Sequence, residues 1–377
     1  MNFGDYRIGD QLSKSLLAQV HRADHLTLQL PVVLRRWDPE LLKNFESPEE
    51  YALRVQAATA MHHPHLVATL DAGLQDGVPY TASEYLQSAE LNQFVVEMGA
   101  VPQSLACEYI RQAATGIQAA HDAGFYQGWL SPSSLMLQPV VEKIRGDGSK
   151  SLRPSPDSSI KVADVGLLPQ RPTIHDRPYD PEADLGPVEF LAPERIGSTA
   201  FDSRTDAYGL GACLYYLLSA QTPFQAGSPI EVLLLIQQSN PARLDTLRND
   251  VDPIVADLVE RCLSKDAALR PTVIEIAQTL QAFSSSVQIT QPHTEPLSEE
   301  ELPEPHNAFS GSLENYSDEE TSSAPILPRK EEGGIKTSTW LMIGAVTWLV
   351  GLVGWFLIFN GSGSDSKPSP PAKTKSK

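Results

Sequence analysis

The sequence predicts an α+β protein, and three observations carry that prediction. Residues 4–100 are strand-rich with one well-signalled helix, residues 101–283 carry long helical periodicities, and Trp340–Phe359 is a run of twenty residues without a charge. The expected organisation is a small β-rich lobe over about 4–86, a larger α-helical lobe over about 87–283, a linker, a single membrane-crossing helix and a short tail. A chain of 377 residues with a 41% hydrophobic fraction supports a core of that size.

The front helix opens on SPEEYALRVQAATAM. Ser47 suits the N-cap, Pro48 the first turn, and Glu50 completes a capping box. Leu53, Ala57, Ala60 and Met61 are its expected apolar face. Further on, Ala106, Ile110, Ala113, Ile117 and Ala120 recur at alternating spacings of four and three, one face of a second helix that Gly124 ends. Leu135 and Leu137 flank Met136 in a short strand-like run. Residues 139–160, PVVEKIRGDGSKSLRPSPDSSI, read as a polar surface loop. Helical periodicity returns in DAYGLGACLYYLLSA and DPIVADLVERCL. Cys107, Cys213 and Cys262 are odd in number, far apart and inside apolar helical patterns, which predicts buried free thiols in a reducing compartment.

The net charge of −18 and the lack of a basic stripe argue against a nucleic-acid partner. Much of the charge is local: Phe283–Lys336 holds eleven Asp/Glu against three Lys/Arg. With few large apolar residues, 284–337 reads as a disordered acidic linker. Trp340–Phe359 follows; at about 1.5 Å per residue it spans roughly 30 Å, a bilayer core. Trp340 at one end and Trp355, Phe356 and Phe359 at the other fit interfacial aromatics. The span is therefore expected as a single-pass anchor over 338–360, with 361–377 a short Lys/Pro/Ser tail.

Flanking charge does not fix the orientation, since Arg329, Lys330 and Lys336 stand against Lys367, Lys373, Lys375 and Lys377. From the free cysteines and the absence of an apolar h-region in MNFGDYRIGDQL, the N-terminal part is expected in the cytoplasm, at an inner or cytoplasmic membrane. Gly344, Thr347, Gly351 and Gly354 form a strip of small residues that would suit weak homodimerisation.

A β-rich front, one helix and a helical body holding IKVADVGL, FLAPERI and ALRPT resemble the protein kinase fold. The similarity is closest to the eukaryotic-type Ser/Thr kinases of bacteria and covers roughly 4–283. Asp164-Val165-Gly166 matches D-F-G and Ala192-Pro193-Glu194 matches A-P-E. Asp206 resembles the aspartate that opens the central helix of the large lobe. Arg270 resembles the arginine that pairs with the A-P-E glutamate, here Glu194. HHPHLV and the hinge-like YTASEYL, with Glu84, also fit. The resemblance implies a bilobal protein-kinase-like fold.

The positions that would touch nucleotide and substrate depart from the family. Phosphoryl transfer there relies on a glycine loop, a lysine held by a glutamate, metal-bound Asp and Asn, and a base. The glycine loop aligns with Ser13–Val20, where Ser13, Ser15 and Ala18 replace every glycine, so backbone approach to a phosphate is poor. Arg35 replaces the lysine, a swap that is not conservative at a packed ion pair. Arg54 replaces its glutamate, so two arginines are expected to face each other; Glu50, one turn before Arg54, is assigned to the cap. In FYQGWLSPSSLML, Gln127 and Gly128 stand for His and Arg, Trp129 for the catalytic aspartate, Ser131 for the lysine and Ser134 for the metal-binding asparagine.

Tryptophan accepts no proton from a hydroxyl, because its one polar atom is a donor. Trp129 is read as an apolar plug, and Asp164 is the one retained metal ligand. Gly128 cannot read a phosphate on Thr173 or Tyr179, and Pro187 replaces the family's usual threonine.

The expectation is a membrane-anchored pseudokinase, a scaffold or binding module for signalling proteins with no cofactor. The first alternative is a Ser/Thr kinase of residual or unconventional activity, using Mg·ATP on Arg35 and Asp164. The second is a nucleotide sensor without turnover, with Ser13, Ser15, Ala18, Arg35 and Glu84 as candidate contacts.

Overall fold

In a computed structural model of the chain, residues 1–284 are described apart from Leu16, 44–45, 145–149, 169–186 and 198–200. The chain divides into two units, Met1–Leu297 and Ser298–Lys377, and every described residue lies in the first. The linker beyond Ser284, the apolar span with Gly344, Thr347, Gly351 and Gly354, the tail, and Thr173 and Tyr179 all lie outside the described residues. Among the described residues no helix is long and apolar enough to cross a membrane.

The first lobe comprises β1 (Asn2–Phe3), β2 (Tyr6–Lys14), β3 (Ala18–His25), β4 (Pro31–Trp37), α1 (Pro39–Leu42), α2 (Pro48–Ala58), β5 (Thr69–Gln75) and β6 (Val78–Glu84). Its strands pair antiparallel in the order β1-β2-β3-β4-β6-β5. Tyr6, Ala23, Val32, Leu34 and Ala82 form one of its apolar clusters, as period-two alternation requires.

The second lobe begins with β7 (Ala89–Glu90), α3 (Leu91–Met98), α4 (Gln103–Asp122), β8 (Leu135–Ile144) and β9 (Lys150–Val162). It continues with α5 (Glu194–Gly197), α6 (Ser203–Ser219), α7 (Pro229–Gln238), α8 (Leu244–Leu247), α9 (Pro253–Cys262) and α10 (Val273–Gln281). The five α4 residues spaced by fours and threes are all fully buried, against α6 and its neighbours. The two lobes give the bilobal architecture that the kinase-like motifs imply.

Three local expectations need correction. The capping box of α2 forms as read, with Ser47 Oγ accepting from Glu50 N. Its buried stripe, however, is Tyr51, Ala52, Val55 and Ala58, and Leu53 is 72% exposed. Tyr51 supplies more apolar area than Leu53, so the helix turns that face to the sheet. The first lobe also carries the one-turn helix α1, capped by Asp38. Finally, much of 139–160 is not a loop: Val140 pairs with Pro154 and Ile144 with Lys150, which extends the β8–β9 hairpin outward. β9 is an edge of the β7-β8-β9 sheet, where prolines are tolerated.

The three cysteines are free and buried. Burial, then the charge of Asp252, pushes the Cys107 thiol up to about 12, and burial also raises Cys213 and Cys262. They pack as small apolar groups.

Candidate functional site

The turn between α4 and β8 is built around Asp206, in the first turn of α6. Its carboxylate accepts from Gln127 N at 3.0 Å, Gly128 N at 2.6 Å and His121 Nε2 at 2.8 Å. These bonds fix the backbone of 127–128. Gly128 has φ +77°, and a Cβ there would lie 2.7 Å from the Phe201 ring. A side chain at this position would be strained by the backbone conformation and would need the Phe201 ring to shift.

Trp129 follows, its N–H donating to the Gln127 side-chain oxygen at 2.8 Å. The indole is 8% exposed and shares an apolar cluster with Val188, Leu191, Phe224, Val232 and Ile236. Its Nε1 donates to Pro187 O at 3.3 Å. The side chain thus ties this turn to the segment before α5 and to α7. Ser131 and Ser134 are absorbed in local structure: Ser134 Oγ donates to Ser131 O at 2.8 Å and accepts from Ser131 N at 3.0 Å. Asp157 is exposed on β9, and Asp147 lies outside the described residues.

Arg35, on β4, donates from Nη2 to Asp164 Oδ2 at 2.8 Å. Burial disfavours the charged guanidinium, but the adjacent Asp164 carboxylate outweighs it and holds Arg35 above its usual pKa. Asp164 itself sits at φ +63°, a left-handed conformation uncommon outside Gly, Asn and Asp.

The expected confrontation of two arginines does not occur. Arg54 turns to Glu46 instead, with Nη2–Oε1 2.7 Å and Nε–Oε2 3.2 Å. Its remaining donors reach Gly166 O at 2.6 Å and Leu168 O at 3.0 Å. Burial raises the Tyr51 phenol, which stays protonated and donates to Leu167 O at 2.9 Å. Helix α2 is therefore clamped onto the 166–168 backbone by donors, where a carboxylate at position 54 would have met carbonyls with like polarity.

The β2–β3 tip is equally committed. Ser15 N donates to Ala18 O at 2.9 Å, and Ser15 Oγ accepts from Ala18 N at 3.1 Å. Leu17, only 3% exposed, joins Trp37, Leu42, Tyr51 and Leu167 in one cluster, and its carbonyl accepts from Asp38 N at 2.8 Å.

Beside this arrangement lies a cavity of about 360 Å³ between the sheet and the β7–β8 region. Ser13, Arg35, Glu84 and Asp164 line it; Ser15 and Ala18 do not. The Glu84 side chain accepts from Ala68 N at 2.9 Å and from Lys161 Nζ at 2.5 Å. Away from the cavity, Arg270 meets Glu194 through two 2.7 Å bonds.

Sequence reasoning named Asp164, Arg35 and Trp129 but missed Glu46, Leu17, Phe201 and Lys161. A leucine pair at the tip of a loop that ordinarily covers phosphates was the available signal for Leu17. Among the described residues no cluster of His, Cys, Asp and Glu is arranged to hold a metal.

A protein kinase domain family model matches residues 17–281. The serine/threonine-protein kinase pkn3 of Myxococcus xanthus is 26% identical over 72% of this chain and 48% of its own length. The serine/threonine-protein kinase PknB of Mycobacterium tuberculosis is 25% identical over 79% of this chain and 49% of its own. The chain thus spans about half the length of these curated relatives. The crystal structure of the Mycobacterium tuberculosis PknI kinase domain superposes with a TM-score of 0.57 at 20% identity, covering 75% of this chain and 98% of that one. The chain belongs to the protein kinase family, as a bacterial member of eukaryotic type.

Proposed function

We propose that this chain is a pseudokinase, a kinase-shaped scaffold or binding module for signalling proteins that transfers no phosphoryl group. The observation that carries the reading is the Arg35–Asp164 ion pair. Asp164 is the single retained metal ligand, and its Oδ2 is engaged by a fixed cation. Ser134, at the partner position, is turned into its own backbone turn. With Leu17 folded onto Tyr51 and Leu167, these residues do not fit Mg·ATP. Loss of a general base alone costs about 10²–10⁴-fold, and Trp129 supplies no substitute. The losses act on one assembly and do not simply multiply.

In this reading Trp340–Phe359 holds the module at an inner or cytoplasmic membrane as a single pass, with residues 4–283 in the cytoplasm. The length and absence of charge of that run support the anchor. The strip Gly344, Thr347, Gly351 and Gly354 would allow weak pairing of two such spans.

The test is phosphotransfer from radiolabelled ATP by the full chain, with Mg²⁺ or Mn²⁺, to itself and to a generic basic substrate. Incorporation no higher than that of Asp164→Ala is expected. Incorporation abolished by Asp164→Ala would establish instead a kinase of unconventional mechanism. The persistence of a cavity lined by Arg35, Glu84 and Asp164 is what favours that second reading.

A further inference from the structure

Leu26, Leu28 and Leu30 stand on the turn that joins β3 to β4, and they are 42%, 62% and 51% exposed. Single exposed leucines are ordinary on a protein surface, but three within five residues form a patch. The side chains between them, Thr27 and Gln29, are polar and uncharged, and no Asp, Glu, Lys or Arg occurs from His25 to Leu34. The charges that bound this run in the chain are both paired, Asp24 with Arg7 and Arg35 with Asp164.

The turn also satisfies its own backbone. His25 N donates to Leu30 O at 2.9 Å, Gln29 N to His25 O at 2.8 Å and Leu26 N to Asp5 O at 2.8 Å. Leu28 N reaches His25 Nδ1 at 3.4 Å, and Gln29 closes the turn at φ +52°. A tip built this way can leave water without stranding these donors, the condition that an apolar phase imposes on a backbone. As the end of a hairpin it is convex and offers no recess for a partner's side chain. It fits a fluid apolar phase that moulds itself to the leucines.

We propose that this tip dips into the interface of a lipid bilayer, with the three leucines against the acyl chains and the Arg7–Asp24 pair at the water boundary. The proposal rests on the membrane-anchor reading, because three leucines alone would hold a domain at a bilayer only weakly and reversibly. It is independent of whether the chain transfers phosphate. The lipid is zwitterionic: a chain with a formal charge of −18 is repelled by an anionic surface.

The experiment places the full chain in phosphatidylcholine nanodiscs, one chain per disc, with a nitrobenzoxadiazole label on Leu28→Cys or, as the reference, on Leu53→Cys. Cys107, Cys213 and Cys262 are buried and stay unlabelled. Both leucines are exposed, so each variant should melt like the parent. When the discs include phosphatidylcholine with a nitroxide on its acyl chain, the label at 28 is expected to lose most of its emission and the label at 53 to keep it. Adding Leu26→Ser and Leu30→Ser should restore the emission at 28.

Equal quenching at the two positions, or quenching that survives the serine substitutions, would overturn the proposal. So would a label at 28 that is shielded from an aqueous quencher only in discs loaded with two chains, which would make a second copy the occupant. A chain that does not enter the discs would overturn the anchor reading and the dip together. A chain that enters them without quenching at 28 overturns the dip alone.

Discussion

Arg35 Nη2 lies 2.8 Å from Asp164 Oδ2, and the two side chains are 17% and 30% exposed. One element of the first lobe thereby neutralises the residue on which metal binding would depend. The pair joins positions 129 residues apart and fixes the small lobe to the strand end that follows β9. A double-mutant cycle with Arg35→Met and Asp164→Asn should give a coupling of about 1–2 kcal/mol in denaturant unfolding, within the range for residues in contact. A coupling near zero would mean that the pair contributes no stability.

Trp129 is expected to be structural. Trp129→Ala removes a buried indole from the cluster with Phe224 and Ile236 and should destabilise by about 3–5 kcal/mol. Trp129→Asp, which restores the family's residue, should unfold still more readily and show no phosphotransfer. Activity in Trp129→Asp would mean that the remaining site is competent.

Glu194 and Arg270 make the pair that the family motifs imply, and it is buried at the Arg270 end. Burial pushes the Glu194 carboxyl upward, but the hydrogen bonds and charge of Arg270 outweigh it and hold it below its usual range. A depressed folded value means that the contribution is present above about pH 4.3, the unfolded value, and is lost as pH falls through the folded one. Glu194→Gln should lower stability at neutral pH and flatten the acid limb of the stability–pH curve. An unchanged acid limb would remove Glu194 from the account.

Leu17→Ser tests the closed hairpin tip. It should cost about 2 kcal/mol and raise amide exchange at Leu17, Ala18 and Asp38, without creating phosphotransfer. Exchange unchanged at Asp38 would argue against the contact between its N–H and the Leu17 carbonyl.

The fold was legible because its determinants are local or periodic. The α2 capping box, the α4 stripe ending near Gly124 and the ordered motifs from Asp164 to Arg270 each follow from short-range rules. The face of α2 was misread because Leu53 and Tyr51 compete for the interior, and the outcome depends on the sheet beneath. The 139–160 hairpin was misread because its prolines and charges resemble a loop, whereas an exposed edge strand accepts both. At the site, the departures at Trp129, Arg35 and Arg54 were visible as residue identities. Their new partners were not: Glu46 lies eight residues from Arg54, and Asp164 lies far from Arg35, so only the folded chain brings them together.

The most direct measurement is thermal unfolding of the full chain with and without millimolar Mg·ATP. A ligand at a hundred times its dissociation constant stabilises the folded form by about 2.7 kcal/mol, readily seen as a change in Tm. With Asp164 held by Arg35, the account predicts a cooperative transition that Mg·ATP does not shift. A magnesium-dependent rise in Tm that Asp164→Ala abolishes would contradict it.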